Sequence, residues 1–225
     1  VFLNFENILI FLVLFFLIKV HRIVNSPITS NCYVISSLEM GSSCIVVDPG
    51  SNDNQLLIDY INSNCLIVKD VILTHEHFDH IAGVIDLHSK YKLELICSIE
   101  TAKGIGNSKK NLSAFNDQIR PVEIQIIPSI VKDNEQIIFG NSKLCFYNTP
   151  GHSTGSMCFS IDNYFFTGDT LLYNRKTRLN LPGSNKEHFA ETIKKLIHVM
   201  KPGMQVCPGH GHYFVHNVDQ FITFY

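Results

Sequence analysis

The stretch Thr74-His75-Glu76-His77-Phe78-Asp79-His80 places four metal-capable side chains, those of His75, His77, Asp79 and His80, in six residues. His and Asp clustered at such spacing are a strong signal for a bound cation. In extended chain His75 and His77 point to the same side, so both imidazoles can reach one ion. Asp79 and His80 fall where the chain turns into a helix and can serve a second. Any one of these histidines alone would read as a polar loop residue, but the cluster does not.

Three more candidate ligands stand at strand ends. They are His152 in Thr149-Pro150-Gly151-His152-Ser153, Asp169 in Phe166-Thr167-Gly168-Asp169-Thr170, and His210 in Cys207-Pro208-Gly209-His210-Gly211. Each follows an apolar run and a glycine, which lets the backbone turn sharply and aim one side chain at a shared point. Singly they would be loop histidines and a turn aspartate. As a set with the first cluster they complete two coordination shells. His212 follows closely and reads as a loop residue just outside the ligand set. Arg175, Lys176 and Arg178 come soon after Asp169, where they are candidates to receive an anionic substrate; a solvated loop is an equal reading.

The elements that must position these groups follow from periodicity. Asp70-Val71-Ile72-Leu73-Thr74 reads as a buried strand ending where the histidines begin. Before it, Val20–Val24, Cys32–Ser36 and Cys44–Asp48 read as an antiparallel meander closed by Asp48-Pro49-Gly50, and Gln55–Asn62 has helical spacing. After it come a helical stripe through Ile81, Val84, Ile85, Leu87 and His88, a strand at Leu93–Cys97 and a helix near Glu100–Ile105. Strand, motif, helix and strand together make an α/β unit. Asn107–Pro128 is polar and irregular, the pattern of a surface insertion. Short strands follow at Glu135–Phe139, Lys143–Asn148, Met157–Ile161 and Tyr164–Thr167. Glu187–Met200 is an amphipathic helix ended by Lys201-Pro202-Gly203, and Gln205-Val206-Cys207 is a last short strand.

Composition bounds the rest. With 225 residues, 45% hydrophobic and 11% aromatic, the chain can bury a full core. A net charge of −2 without a long basic run argues against a nucleic-acid partner. Seven cysteines, odd in number and without a CxxC pair, are expected to be reduced core residues of a cytoplasmic protein. The apolar run Ile8–Ile18 is shorter than the ~20 residues that span a bilayer, and it lacks a basic flank and a small-residue cleavage site. Residues 1–18 are therefore expected to be an extension outside the fold, with a membrane-tethering leader as the lesser reading, and residues 19–225 a single folded domain.

In the order His75-x-His77-x-Asp79-His80, His152, Asp169, His210, the sequence resembles the metallo-β-lactamase superfamily. Within it, Thr149–Ser156 and Phe166-Thr167-Gly168-Asp169-Thr170-Leu171-Leu172 are similar to the wording of the glyoxalase II (hydroxyacylglutathione hydrolase) branch, and Asn111-Leu112-Ser113 is similar to a segment of its single-domain members. Thr177-Arg178-Leu179-Asn180-Leu181-Pro182 keeps the arginine of a stretch common there but not its glycine and aspartate. The resemblance implies an α/β four-layer αββα sandwich. It also implies that His75, His77 and His152 bind one metal, that Asp79, His80 and His210 bind another, and that Asp169 bridges them.

The chemistry so implied is hydrolysis of a small-molecule thioester by a hydroxide held between two divalent ions, whose coordinated water ionises near a pKa of about 7. Asp79 and Asp169 would offset the metal charge and orient that nucleophile. Imidazole and carboxylate donors suit zinc first, and iron or manganese as well. Three rival readings stand beside this one. The first is a persulfide dioxygenase using a single iron, and the second a non-catalytic metal-binding scaffold. The third is a serine hydrolase, because Gly151-His152-Ser153-Thr154-Gly155 matches Gly-x-Ser-x-Gly, although a strand rather than the required helix is expected after it.

Overall fold

The computed structural model describes residues 18–37 and 41–217. Two six-stranded sheets carry the fold. The first, in the order β1-β2-β3-β4-β5-β6, is built from β1 (Ile18–Val24), β2 (Asn31–Ser37), β3 (Ser43–Val47), β4 (Ile67–Ile72), β5 (Glu94–Cys97) and β6 (Ser129–Ile130). Its first three strands are antiparallel and the rest parallel. The second, in the order β12-β11-β10-β9-β8-β7, is built from β7 (Gln136–Phe139), β8 (Ser142–Asn148), β9 (Met157–Ile161), β10 (Tyr164–Gly168), β11 (Gln205–Pro208) and β12 (Phe214–Val215). Only β10 and β11 run parallel in it.

Period-2 alternation sorts the side chains into three apolar layers. Val34, Val46 and Val71 face the helices α1 (Gln55–Ser63), α3 (Val84–Lys90) and α4 (Ile99–Ile105), meeting Leu57, Ile61, Leu87 and Ile105. Their strand neighbours Ile35, Ile45 and Ile72 point the other way and pack between the sheets with Phe146, Phe159 and Phe166. Phe165 and Val206 face outward from the second sheet onto Phe189, Ile193 and Leu196 of α5 (Lys186–Val199). Helices, sheet, sheet and helix are the four layers expected. Strands buried on both faces carry nearly continuous apolar runs, which is why β2 and β3 read so plainly in the sequence.

Several boundaries differ from expectation. Ile18 belongs to β1, paired with Ser37, so the expected extension over residues 1–18 is one residue too long at its inner end, and residues 1–17 lie outside the described residues. The helical stripe after the histidines is two helices, α2 (Phe78–Ile81) and α3, separated at Gly83, where a Cβ would collide with the Asn54 side chain. The segment 107–128 is not a surface insertion. Ile119, Val122 and Ile124 are buried in the helix-side core, and buried Asn111 donates Nδ2 to the carbonyls of Val122 (2.7 Å) and Ile105 (3.3 Å). Of the seven cysteines, all unpaired, Cys65 is exposed and Cys145 half-buried, unlike the core residues expected. Among the described residues no helix is long and apolar enough to cross a membrane.

Backbone bonds join the sheets along one edge. Met157 N donates to Thr74 O (2.8 Å) and Asn31 N to Gly209 O (2.6 Å), while Gly209 N donates to Gly168 O (2.7 Å) within the second sheet. At this seam the strands of both sheets end and the candidate ligands begin.

Candidate metal centre

All seven expected ligands meet at the seam. His75 and His77 leave the end of β4, and Asp79 and His80 ride the single turn of α2. His152 follows β8, Asp169 follows β10 and His210 follows β11. The donor atoms of His75, His77 and His152 lie within 4.8 Å of one another, and so do those of Asp79, His80 and His210. Asp169 stands between the two sets, with Oδ1 3.5 Å from His80 Nε2 and Oδ2 3.6 Å from His152 Nε2 and 3.5 Å from His210 Nε2. Two glycines allow this placement, Gly168 by its left-handed turn beside Thr74 and Gly209 by leaving space for Asp169. Gly168 has a φ of +48°, and a Cβ on Gly209 would lie 2.2 Å from Asp169 Oδ1.

The donor set fits a cation. Nε2 of His75 and His80 and Oδ1 of Asp169 are buried without a hydrogen-bond partner among the described residues, a costly condition unless something polar fills the space between them. His152 Nε2 and His77 Nδ1 face each other at 3.0 Å, an arrangement satisfied by one shared proton or one shared cation. A cation there would also satisfy His75 Nε2.

Proton accounting on the outward ring nitrogens points the same way. His152 Nδ1 donates to Arg178 O and His210 Nδ1 to Thr29 O, both at 3.0 Å, since a carbonyl can only accept. The Thr74 hydroxyl donates to Asp48 Oδ2 at 2.6 Å, so its oxygen accepts from His75 Nδ1 at 3.0 Å. His80 Nδ1 donates to Asp48 Oδ2 at 2.9 Å. When neutral, each of these four rings therefore turns the lone pair of its second nitrogen toward the centre.

Asp48 is the residue that sequence reasoning missed. It lies close enough to His75 and His80 to count as a donor itself. Its oxygens, however, are taken by Thr74 N (2.8 Å), Thr74 Oγ1 and His80 Nδ1, so it orients two candidate ligands rather than joining them. Its sequence setting, Asp-Pro-Gly after a strand, reads only as a turn.

The electrostatics of the two sets differ. Burial lowers His75 well below the usual imidazole value, holds His77 at about 3 and lowers His152. Burial also opposes charge on His80, but Asp79, Asp48 and Asp169 outweigh it and hold that ring at about 10. The Asp79 and Asp169 carboxylates raise His210 in the same way against its burial. Asp79 sits below the ordinary carboxylate range because the field of His80, His210 and His77 overcomes its desolvation.

Around the centre opens a cavity of about 840 Å³. Arg175, Lys176 and Arg178 line it and are exposed, as the anion-receiving reading requires. Their segment is anchored where Thr177 Oγ1 donates to the carbonyls of Asp169 (3.0 Å) and Thr170 (2.9 Å). His212 is exposed and outside the cavity wall. The turn at Asn111–Phe115 contributes Leu112 and Phe115. Leu112 holds a φ of +69°, a left-handed conformation that costs a side chain roughly 1–2 kcal/mol. Asn111 stabilises it, accepting Ser113 N on Oδ1 at 3.0 Å and Phe78 N on its carbonyl at 2.9 Å.

Ser153 is fully buried, and its hydroxyl meets Glu76 Oε2 (2.9 Å) and Ser156 Oγ (3.0 Å), with no imidazole as base. The strand β9 follows it. The nucleophile-elbow reading fails on both counts.

The pattern of the metallo-beta-lactamase superfamily matches residues 26–219. The chain belongs to that superfamily. It is 27% identical over 182 residues to the probable polyketide biosynthesis zinc-dependent hydrolase PksB of Bacillus subtilis (strain 168), covering 81% of this chain and 73% of that protein. It is 28% identical over 202 residues to the hydroxyacylglutathione hydrolase of Wigglesworthia glossinidia brevipalpis, covering 90% of this chain and 70% of that protein. In fold it is similar to the BLEG-1 B3 metallo-beta-lactamase, with a TM-score of 0.82, 24% identity, and 91% and 97% of the two chains covered. Family and relatives together indicate a metal-dependent hydrolase.

Proposed function

We propose that the chain is a thioester hydrolase that works with two divalent metal ions, His75, His77 and His152 holding one, Asp79, His80 and His210 the other, and Asp169 reaching both. The observation that carries the reading is the convergence of two donor triads on a single carboxylate, with His75 Nε2, His80 Nε2 and Asp169 Oδ1 buried and unpartnered among the described residues. The wording around His152 and Asp169, and the similarity to a hydroxyacylglutathione hydrolase over nine-tenths of the chain, support a thioester as substrate.

When bound, the metal pair supplies Lewis acidity toward the carbonyl and lowers the pKa of coordinated water. The protein's own groups do the rest. Asp48 and Thr74 keep the Nδ1 protons of His80 and His75 pointing away from the centre. Arg178 O and Thr29 O do the same for His152 and His210, so four lone pairs stay fixed inward without reorganisation during turnover. Asp79, held below the ordinary carboxylate range, stays ionised at neutral pH and offsets part of the metal charge. Arg175, Lys176 and Arg178 would hold an anionic substrate at the cavity rim. Zinc suits these donors, and iron or manganese could take the same positions.

Metal content of the purified chain, measured with thiol release from lactoylglutathione and other small thioesters, tests the reading. Two metal equivalents and thiol release without oxygen uptake are expected. A single iron with oxygen consumed on glutathione persulfide would replace hydrolysis by dioxygenation. Bound metal without turnover of any ester or thioester would leave a scaffold.

A further inference from the structure

The cavity wall is amphipathic. Ile28, Phe78, Leu112 and Phe115 bring apolar surface from three separate segments of the chain, while Arg175, Lys176 and Arg178 bring positive charge from a fourth. At about 840 Å³ the space is that of a site for a drug-sized ligand, far beyond what a lactoyl group fills. Phe115 stands 71% exposed there and shares one apolar wall with Leu112 and Ile28, so it is available to contact a ligand in the cavity. Its placement is built rather than accidental. The left-handed Leu112 sets the turn, and buried Asn111 fastens that turn to α2 and to Val122. The basic segment is equally fixed, by Thr177 to the Asp169 carbonyl and by the Arg178 carbonyl to His152.

Resting on the hydrolase reading above, we infer that the preferred substrates are thioesters of an anionic thiol whose acyl group is apolar and several carbons long. The apolar wall takes the acyl chain and the basic segment takes the anion. Carboxylates of a peptide thiol or phosphates of a nucleotide thiol supply the same charge.

The test uses the metal-loaded full chain and non-hydrolysable thioethers, so that binding is read by calorimetry independently of turnover. S-hexylglutathione should bind at least about 30-fold more tightly than S-methylglutathione, the worth of two to three buried methylenes at roughly fourfold each. Phe115→Ala, at an exposed position, should cut that gain to about fivefold or less and leave the methyl compound unaffected. A hexyl thioether of neutral N-acetylcysteamine should bind at least ~10-fold more weakly than one of the charged carriers, and adding salt should close that gap. Comparing S-hexylglutathione with S-hexyl-coenzyme A then says which anion is meant, the tighter being the carrier. Methyl and hexyl compounds binding alike, or a neutral carrier binding as well as both charged ones, would overturn the inference. Failure of hexanoyl- and lactoylglutathione to release thiol while the thioether preferences hold would defeat the hydrolase reading alone.

Discussion

The two donor triads are close in space and unlike in chemistry. His75, His77 and His152 are three buried imidazoles whose protonation burial suppresses. Asp79, His80 and His210 include a carboxylate, and the surrounding negative field pulls protons onto both of its histidines. The first triad therefore offers lone pairs with little competition. The second holds protons in the place of a cation and must release them when one binds. Two sites made by one motif should consequently differ in how firmly they keep their metal, and each expected result below tests that difference.

The largest effect is expected at Asp169, which both triads share. Asp169→Asn keeps the shape but removes the charge reaching both sets, and a centre that stabilises charge by several kcal/mol loses at least ~10³-fold in kcat. Circular dichroism should show the fold intact. Undiminished turnover would remove Asp169 from the centre.

A smaller and one-sided effect is expected at Asp48. Asp48→Asn replaces the carboxylate that receives the His80 proton, and loss of such a supporting partner weakens metal binding about 10–100-fold. Dialysis followed by metal analysis should show the second equivalent lost ahead of the first. Equal loss of both would erase the asymmetry, because Asp48 also reaches His75 through Thr74.

Acidity should separate the triads without mutation. Since the metal-free His80 titrates at about 10, that ring is protonated at neutral pH, and cation binding expels its proton. Affinity at the second site should then fall roughly tenfold for each unit that pH drops across the neutral range. His75, His77 and His152 titrate below the usual imidazole value, so the first site should stay nearly constant over the same range. Competition titrations with a chelator of known affinity read both slopes, and parallel slopes would refute the difference.

The sequence made the ligands legible because each ends an apolar strand and three of them follow a glycine, a local grammar that needs no knowledge of the sheet order. Asp48 was illegible for the opposite reason. Its partners are 26 and 32 positions away along the chain and become neighbours only because β3 lies parallel to β4, with Val47 opposite Ile72. Ile119, Val122 and Ile124 were hidden similarly. Val122, Ile124 and Ile126 alternate with Glu123 and Gln125, but the signal is short, set in an otherwise polar stretch, and the segment finds its core through Asn111 and the bond from Ile124 N to Ile105 O (3.0 Å). Most strands and helices were visible, though not the two-residue edge strands β6 and β12, whereas the parallel pairing within each sheet depends on contacts between distant segments.

The smallest effect on catalysis is expected beneath the first triad, at Ser153. Its hydroxyl joins the loop carrying His152 to Glu76, which sits between His75 and His77, so three ligands of one site share this support. Glu76 is buried, and desolvation raises its pKa against the bonds from Ser153, Gly155 and Thr154 that oppose the shift. Ser153→Ala removes one of those donors, and a buried carboxylate short of one partner costs about 1–3 kcal/mol of stability. The remaining bonds still hold the loop, including those from Ser98 (2.8 Å) and Thr101 (2.9 Å) to Gly155 O. Denaturant unfolding should therefore show a loss of that size while kcat/KM stays within a few-fold of the parent. A metal-dependent reaction has no use for this oxygen as nucleophile, whereas a serine hydrolase would lose nearly all activity. Activity abolished in a folded, fully metallated Ser153→Ala protein would move the chemistry off the metal triads and onto the hydroxyl beneath them.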